Sequence, residues 1–300
     1  MNRVGRFLRI TSPGWTVLAL LGLLVAAGCG DDDEEVGFEP PGTPTFVNGD
    51  GQVTLSWSGS ISEELDDFAG YDVFRDVTTM VGLDLAELAT RKINATPVTP
   101  STRSYVDATP VNGTKYYYAV RTVKTNGDWS APTTEIDTSP VEKGGLIMLA
   151  EFADPSRDSG FDLSAGVAVS VSSSDPDNRM LVDLYLGTAG SNDESTQQLA
   201  IKSPHLISGG GDWSQRGATF KLLNDADEST TEVAGWQDMV LLGTTSGQIT
   251  SKVIAVRTPL DTEGEVHYGK ITVLTTSGPQ GQRSIEILYT FQLIPNYIRF

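Results

Sequence analysis

Apolar positions along this chain recur in short alternating runs, each closed by Gly, Pro, Asn or Asp after roughly 8–12 residues. Residues 52–57 alternate, so that Val53, Leu55 and Trp57 share one face of an extended segment. Residues 70–75, 104–107 and 114–124 read as further strands, and Trp129-Ser130-Ala131-Pro132 introduces another. Asn48-Gly49-Asp50 and Asn126-Gly127-Asp128 carry tight-turn chemistry, because Asn and Gly accept positive φ cheaply. The stretch 76–102 departs from the alternation, and Leu83, Leu85 and Leu88 in it are spaced for a short helix. The second half repeats the β pattern at 146–152, 167–171, 180–186, 252–257, 270–274 and 285–293. Asp183 interrupts the apolar run in the third of these. Segments 195–206 and 233–242 suit helix and strand equally. The pattern predicts an all-β chain with one domain over 40–138 and a second, sandwich-like β-rich domain over 145–300.

Composition supports that reading, since 39% hydrophobic residues, 31 Gly and 15 Pro suit packed cores joined by many turns. The N-terminus is different. Arg3, Arg6 and Arg9 precede an apolar stretch over 15–27, which is shorter than the ~20 residues needed to span a bilayer. Small residues close it before the chain's single cysteine, Cys29. The run Val25-Ala26-Ala27-Gly28-Cys29 resembles a bacterial lipobox, with Ala26 where leucine is usual. That resemblance implies a signal peptide over 1–28, cleavage after Gly28, and diacylglyceryl modification of Cys29. Two or three acyl chains give stable membrane attachment where one gives only marginal binding.

After Cys29, residues 29–39 include the run Asp31-Asp32-Asp33-Glu34-Glu35, which reads as a solvated acidic tether. Gly30, in the place where Asp favours inner-membrane retention, points to the outer membrane, facing either periplasm or exterior. One cysteine excludes a disulfide within the chain and any multi-cysteine metal site. The formal net charge is −18, and three of the 21 basic side chains sit in the leader, so the mature chain is more acidic still. Such a surface repels phosphate backbones and argues against nucleic-acid binding.

The first domain resembles the fibronectin type III family. The residues carrying the likeness are Pro40-Pro41-Gly42-Thr43-Pro44, Val53-x-Leu55-x-Trp57, Gly70-Tyr71-x-Val73-Phe74-Arg75 and Asn112-Gly113-Thr114-x-Tyr116-Tyr117-Tyr118-Ala119-Val120. The resemblance implies a β-sandwich with Trp57 in its core, Tyr116 at the corner before the penultimate strand, and a spacer or adhesion role. The chain has no Arg-Gly-Asp tripeptide.

Short strings in the second domain are similar in order to HmuY-like surface lipoproteins: 160–166, 182–184, 267–273 and Ile287-x-Tyr289-x-Phe291-Gln292. That likeness implies an all-β fold and heme held through side-chain ligands. His205 and His267 are the only imidazoles available as axial ligands, with Met180 or Met239 as substitutes. Ordinary loop-edge histidines are the alternative, and the one the sequence favours. Asp175, Asp177, Asp225 and Asp227 offer calcium-friendly oxygens, but without EF-loop spacing they read first as acidic turns. Gly243-Thr244-Thr245-Ser246-Gly247 has its serine one place late for a nucleophile elbow, and no phosphate-binding Gly-x-x-x-x-Gly-Lys loop occurs.

The expectation is therefore a lipid-anchored, non-enzymatic surface protein without a cofactor, presenting a β-rich domain to a protein or small-molecule ligand. The alternatives are a heme binder and a carbohydrate-active enzyme with an accessory type III domain.

Overall fold

The alternation at Val53 and Leu55 forms strand β2 (Gln52–Ser56), which pairs on one side with β1 (Thr45–Gly49) and on the other with β4 (Ser104–Asp107). The β1–β2 hairpin turns at Asp50 and Gly51, where φ of +62° at Gly51 suits glycine. A second sheet joins β3 (Phe68–Asp76), β5 (Tyr116–Lys124) and β6 (Ile136–Thr138). The two sheets enclose Val53, Leu55, Trp57, Tyr71, Val73, Tyr118 and Val120, so the face predicted for Val53, Leu55 and Trp57 is the buried one. Tyr116 turns its hydroxyl back along the chain to accept the Val111 N–H at 3.0 Å, as a tyrosine corner does. The helix expected in the long insert is α1 (Leu85–Ala89), opened by an Asp84 and Glu87 capping box, with Leu88 its buried contact. Strand β1 escaped the sequence pattern because the Pro-rich entry ran straight into it.

This computed structural model describes residues 38–171, 179–190, 198–207, 213–223 and 234–299, all within one compact unit, Gly37–Phe300. Gly28, Cys29, the acidic run at 31–35 and the four aspartates Asp175, Asp177, Asp225 and Asp227 lie outside the described residues.

Two five-stranded antiparallel sheets follow. One runs β13 (Met239–Gly243), β11 (Leu199–Lys202), β10 (Leu184–Thr188), β8 (Gly160–Asp162), β9 (Val167–Val169). The other runs β12 (Thr219–Leu223), β14 (Val253–Arg257), β15 (Tyr268–Ser277), β16 (Ser284–Gln292), β7 (Glu142–Ala150). Their facing sides share one apolar core, including Phe161, Leu186, Ile201, Phe220, Ile254, Ile271, Ile287 and Phe291. The segments that suited helix and strand equally resolve as β11 and β13, buried among neighbours that supply the ladder. A short helix, α2 (Ser246–Ile249), starts at the serine of the Gly-Thr-Thr-Ser-Gly string, and its Ile249 enters the core. Among the described residues no helix is long and apolar enough to cross a membrane.

The first and second pairs of sheets meet through the chain's end. Tyr297 donates its hydroxyl to Asp137 at 2.8 Å, Arg299 reaches the same residue, and Gln292 Nε2 donates to the Ser139 carbonyl at 3.4 Å.

Candidate functional site

A cleft of about 320 Å³ opens at one end of the second sandwich. It lies where the end of β8, the segment before β10, the approach to β12 and the β14–β15 loop converge. Its ionisable side chains are Asp162, Asp183, Asp261, Arg216 and His267, and its apolar part includes Met180, Leu181 and Phe291.

Each polar group is fixed by local structure. Asp162 ends β8 and closes a turn, with Oδ1 accepting the Ala165 N–H at 2.9 Å and the Ser164 hydroxyl at 2.7 Å. Gly166 completes that turn at φ +65°. Asp183 precedes β10, accepting the Leu163 N–H on Oδ2 at 2.8 Å and Arg216 Nη2 on Oδ1 at 3.3 Å. Arg216 follows a 3₁₀ turn anchored by buried Trp213, and its guanidinium also donates to the Val182 and Leu260 carbonyls. Asp261 folds its loop by accepting the Glu263 and Glu265 N–H groups on Oδ1 at 2.9 and 2.8 Å. His267 donates Nδ1–H to the Gln292 carbonyl at 3.1 Å, which leaves Nε2 facing Asp261 Oδ2 at 3.8 Å. Its ring lies 5.3 Å from that of Phe291, a residue of the second sandwich's core.

Burial dominates the electrostatics. It pushes the Asp183 carboxyl up to about 7, against the pull of the Leu163 N–H and Arg216, and the neighbouring Asp162 charge acts in the same direction as burial. Burial also lowers the Arg216 guanidinium, partly offset by Asp183 and Asp162. Asp261 is held below the usual carboxylate range, first by the Glu265 N–H, with Glu263 and His267 adding to the effect.

The two histidines do not share this cleft. His205 sits in a 3₁₀ turn, Pro204–Leu206, and is not among the lining residues. One imidazole in a cleft of this volume does not fit a heme held between His205 and His267. Of the two sulfurs named as substitutes, Met180 is at the rim and 56% exposed, and Met239 begins β13 and does not line the cleft. His205 instead joins an arrangement the sequence reading missed: Nδ1 lies 2.6 Å from Ser203 Oγ and Nε2 lies 3.5 Å from Asp238 Oδ2. The residue types are those of a nucleophilic triad, but Ser203 is 0% exposed, so its hydroxyl is closed to substrate. Its role is to tie the end of β11 to the Arg216 segment, whose carbonyl accepts the His205 N–H.

No protein family matches the chain, and no curated protein matches it. Among solved structures, a fibronectin-type-III-like protein from Clostridium thermocellum aligns at 21% identity over 33% of this chain and 88% of its own, with a TM-score of 0.25. A beta-1,2-glucanase from Parabacteroides distasonis aligns at 15% identity over 35% of this chain and 13% of its own, with a TM-score of 0.27. A pectate lyase from Pectobacterium carotovorum aligns at 21% identity over 33% of this chain and 27% of its own, with a TM-score of 0.24. These likenesses cover about a third of the chain and small parts of both enzymes, and they carry no conclusion about activity.

Asp162, Asp183, Arg216 and Asp261 were not singled out as site residues from sequence. The available signal was Asp183, an acid inside an otherwise apolar strand segment, where a buried charge demands a partner. Arg216, 33 residues away, gives no local sign of being that partner.

Proposed function

We propose that this chain is an envelope-anchored, non-enzymatic lipoprotein whose second sandwich binds a ligand in the cleft around Asp183 and Arg216. In this reading residues 1–28 are removed, Cys29 carries the lipid, and 29–39 tether the folded part beyond the headgroups of the outer membrane. Residues 40–138 act as a fibronectin type III spacer, supported by the buried Trp57 and the Tyr116 corner. Residues 145–300 form the binding domain.

The observation that carries the binding half is the cleft itself. Its charged groups are pre-positioned by backbone hydrogen bonds, and its apolar rim is exposed at Met180 and Leu181. Paired, immobilised polar groups beside apolar surface favour recognition, because little ordering cost remains to be met on binding.

Two measurements test the reading. Cells expressing the chain and fed an alkyne fatty acid should label it in the membrane fraction, and Cys29→Ser should abolish the label and release the protein. A thermal-shift screen of Gly37–Phe300 against a broad metabolite panel should give stabilising compounds whose effect is lost in Arg216→Met. Persistent labelling of Cys29→Ser refutes the anchor, and turnover of a panel compound by the wild type refutes the non-enzymatic assignment.

A further inference from the structure

Where the first sandwich meets the second, a cavity of about 330 Å³ lies between β1 of the first and β7, β15 and β16 of the second. It shares no lining residue with the cleft around Asp183 and Arg216. Register places its central side chains. Lys143 of β7 stands opposite Thr290 of β16, and Thr290 stands opposite Lys270 of β15, so the three form one row across the sheet. A strand spacing of ~4.8 Å puts the two lysine backbones roughly 10 Å apart with Thr290 between them. Strand β1 contributes Val47 and Asn48, and β16 adds Leu288 and Tyr289.

Two polar groups of this lining are buried and unsatisfied. Thr290 is 9% exposed, and its hydroxyl has no hydrogen-bond partner among the described residues. Asn48 is 3% exposed; its Oδ1 accepts the Thr138 hydroxyl at 2.8 Å, while its Nδ2 has no partner among the described residues. Buried polar groups are nearly always paired, and each orphan carries a cost that an incoming partner relieves. Both orphans are able to donate, as are both ammonium groups. No carboxylate lines the cavity, although the chain's formal net charge is −18. Donors without an acceptor call for an oxygen, and two cations beside them call for a charged one.

We infer that this junction is a second binding site, which takes a small organic carboxylate. Its oxygens meet the Thr290 hydroxyl and Asn48 Nδ2, Lys143 and Lys270 match its charge, and its carbon body lies against Val47, Leu288 and Tyr289. The site stands independently of the cleft. A metal cation is repelled by the two lysines. An inorganic oxyanion would meet the donors but leave Val47 and Leu288 uncovered, at 48% and 40% exposure. The volume is at the lower end of the ~300–1,000 Å³ usual for small-molecule sites, which suits one ring or a short chain.

The compact unit Gly37–Phe300 is titrated calorimetrically with benzoate, hexanoate and glucuronate. Benzyl alcohol, hexanol and glucose serve as neutral bodies, and sulfate as an anion without one. At least one carboxylate should saturate the site and weaken as salt is raised. It should bind about tenfold less tightly to Thr290→Val and about threefold less tightly to Lys143→Gln, with its affinity for Arg216→Met unchanged. Thr290→Val gives up an unpaired hydroxyl, so it should melt no lower than the wild type. A variant that melts several degrees lower would show the hydroxyl already satisfied and remove the premise. Sulfate binding as tightly as the carboxylates overturns the organic ligand, and a neutral body binding as tightly as its acid overturns the charge. A carboxylate weakened by Arg216→Met but not by Thr290→Val belongs to the cleft, which overturns this site and leaves the earlier reading standing. Silence from all three acids at about 10 mM also overturns it, while the metabolite screen continues to test the cleft by itself.

Discussion

Removing the carboxylate of Glu151 should destabilise the second sandwich more than most single changes in the chain. Glu151 follows β7 and Arg283 precedes β16, and both are buried, Glu151 at 0% exposure. Arg283 donates Nε to Oε2 at 2.9 Å and Nη2 to Oε1 at 2.6 Å, while Oε2 also accepts the Gly281 and Arg283 N–H groups at 3.0 and 3.2 Å. Glu151→Ala strips four donor contacts at once and leaves a buried guanidinium without its counter-charge, a loss of about 3–5 kcal/mol. For a unit of this size each kcal/mol lowers Tm by roughly 2–4 °C, so the expected fall is on the order of 6–20 °C. Differential scanning calorimetry of Gly37–Phe300 measures it. The fall should be nearly the same in 50 mM and 1 M salt, because the pair is closed to screening. The double variant Glu151→Leu with Arg283→Met should recover most of the loss, since an apolar pair leaves no stranded charge. A fall below about 2 °C, or one erased by salt, would show the pair to be solvated and the reasoning wrong.

Three further outcomes follow from the same structure. Asp183 binds its proton more tightly folded than unfolded, so its contribution to stability is fully present below about pH 4 and is lost as pH rises to about 7, by up to about 4 kcal/mol. Melting between pH 4.5 and 8 should show the Asp183→Asn protein lacking that decline relative to wild type, and parallel curves contradict it. Gly144→Ala places a methyl on the ring of Tyr289, which also lies across Gly166, and should cost about 1–3 kcal/mol in urea unfolding. A neutral result there would mean that the ring moves freely. Tyr297→Phe removes the hydrogen bond to Asp137 and should cost about 1 kcal/mol, read as faster proteolysis near residues 139–141, with unchanged digestion as the contrary result.

Much of this fold was legible in the chain because its strands are half-buried and alternate. Val53, Leu55 and Trp57 announced their face, and Asn126-Gly127-Asp128 announced a turn in which Gly127 has φ +92° and Asn126 accepts the Asp128 N–H. Strands β10 and β11 were harder, because every residue of both is buried and no polar face marks a period of two. The cleft was the least legible part. Its residues come from Asp162, Asp183, Arg216, Asp261 and His267, drawn together only when both sheets close, and none has a neighbour in sequence that signals its partner. The histidines misled for the same reason: residue type marked them as candidates, while only the tertiary fold decides that His267 faces the cleft and His205 faces Ser203.

The pairing of β7 with β16 also sets when this protein can finish folding. The Glu151–Arg283 contact joins positions 132 residues apart, and among the described residues β7 pairs in its sheet only with β16, the last of the described strands. Loop closure over that distance is slow, so the second sandwich has to wait for its final strand while the first, built from nearer contacts, closes without it. Until then β7 exposes an unpaired edge, a period of aggregation risk. A stop codon or a protease cut shortly before residue 284 would therefore do more than shorten the chain: it would leave the core of the binding half without the strand that completes it.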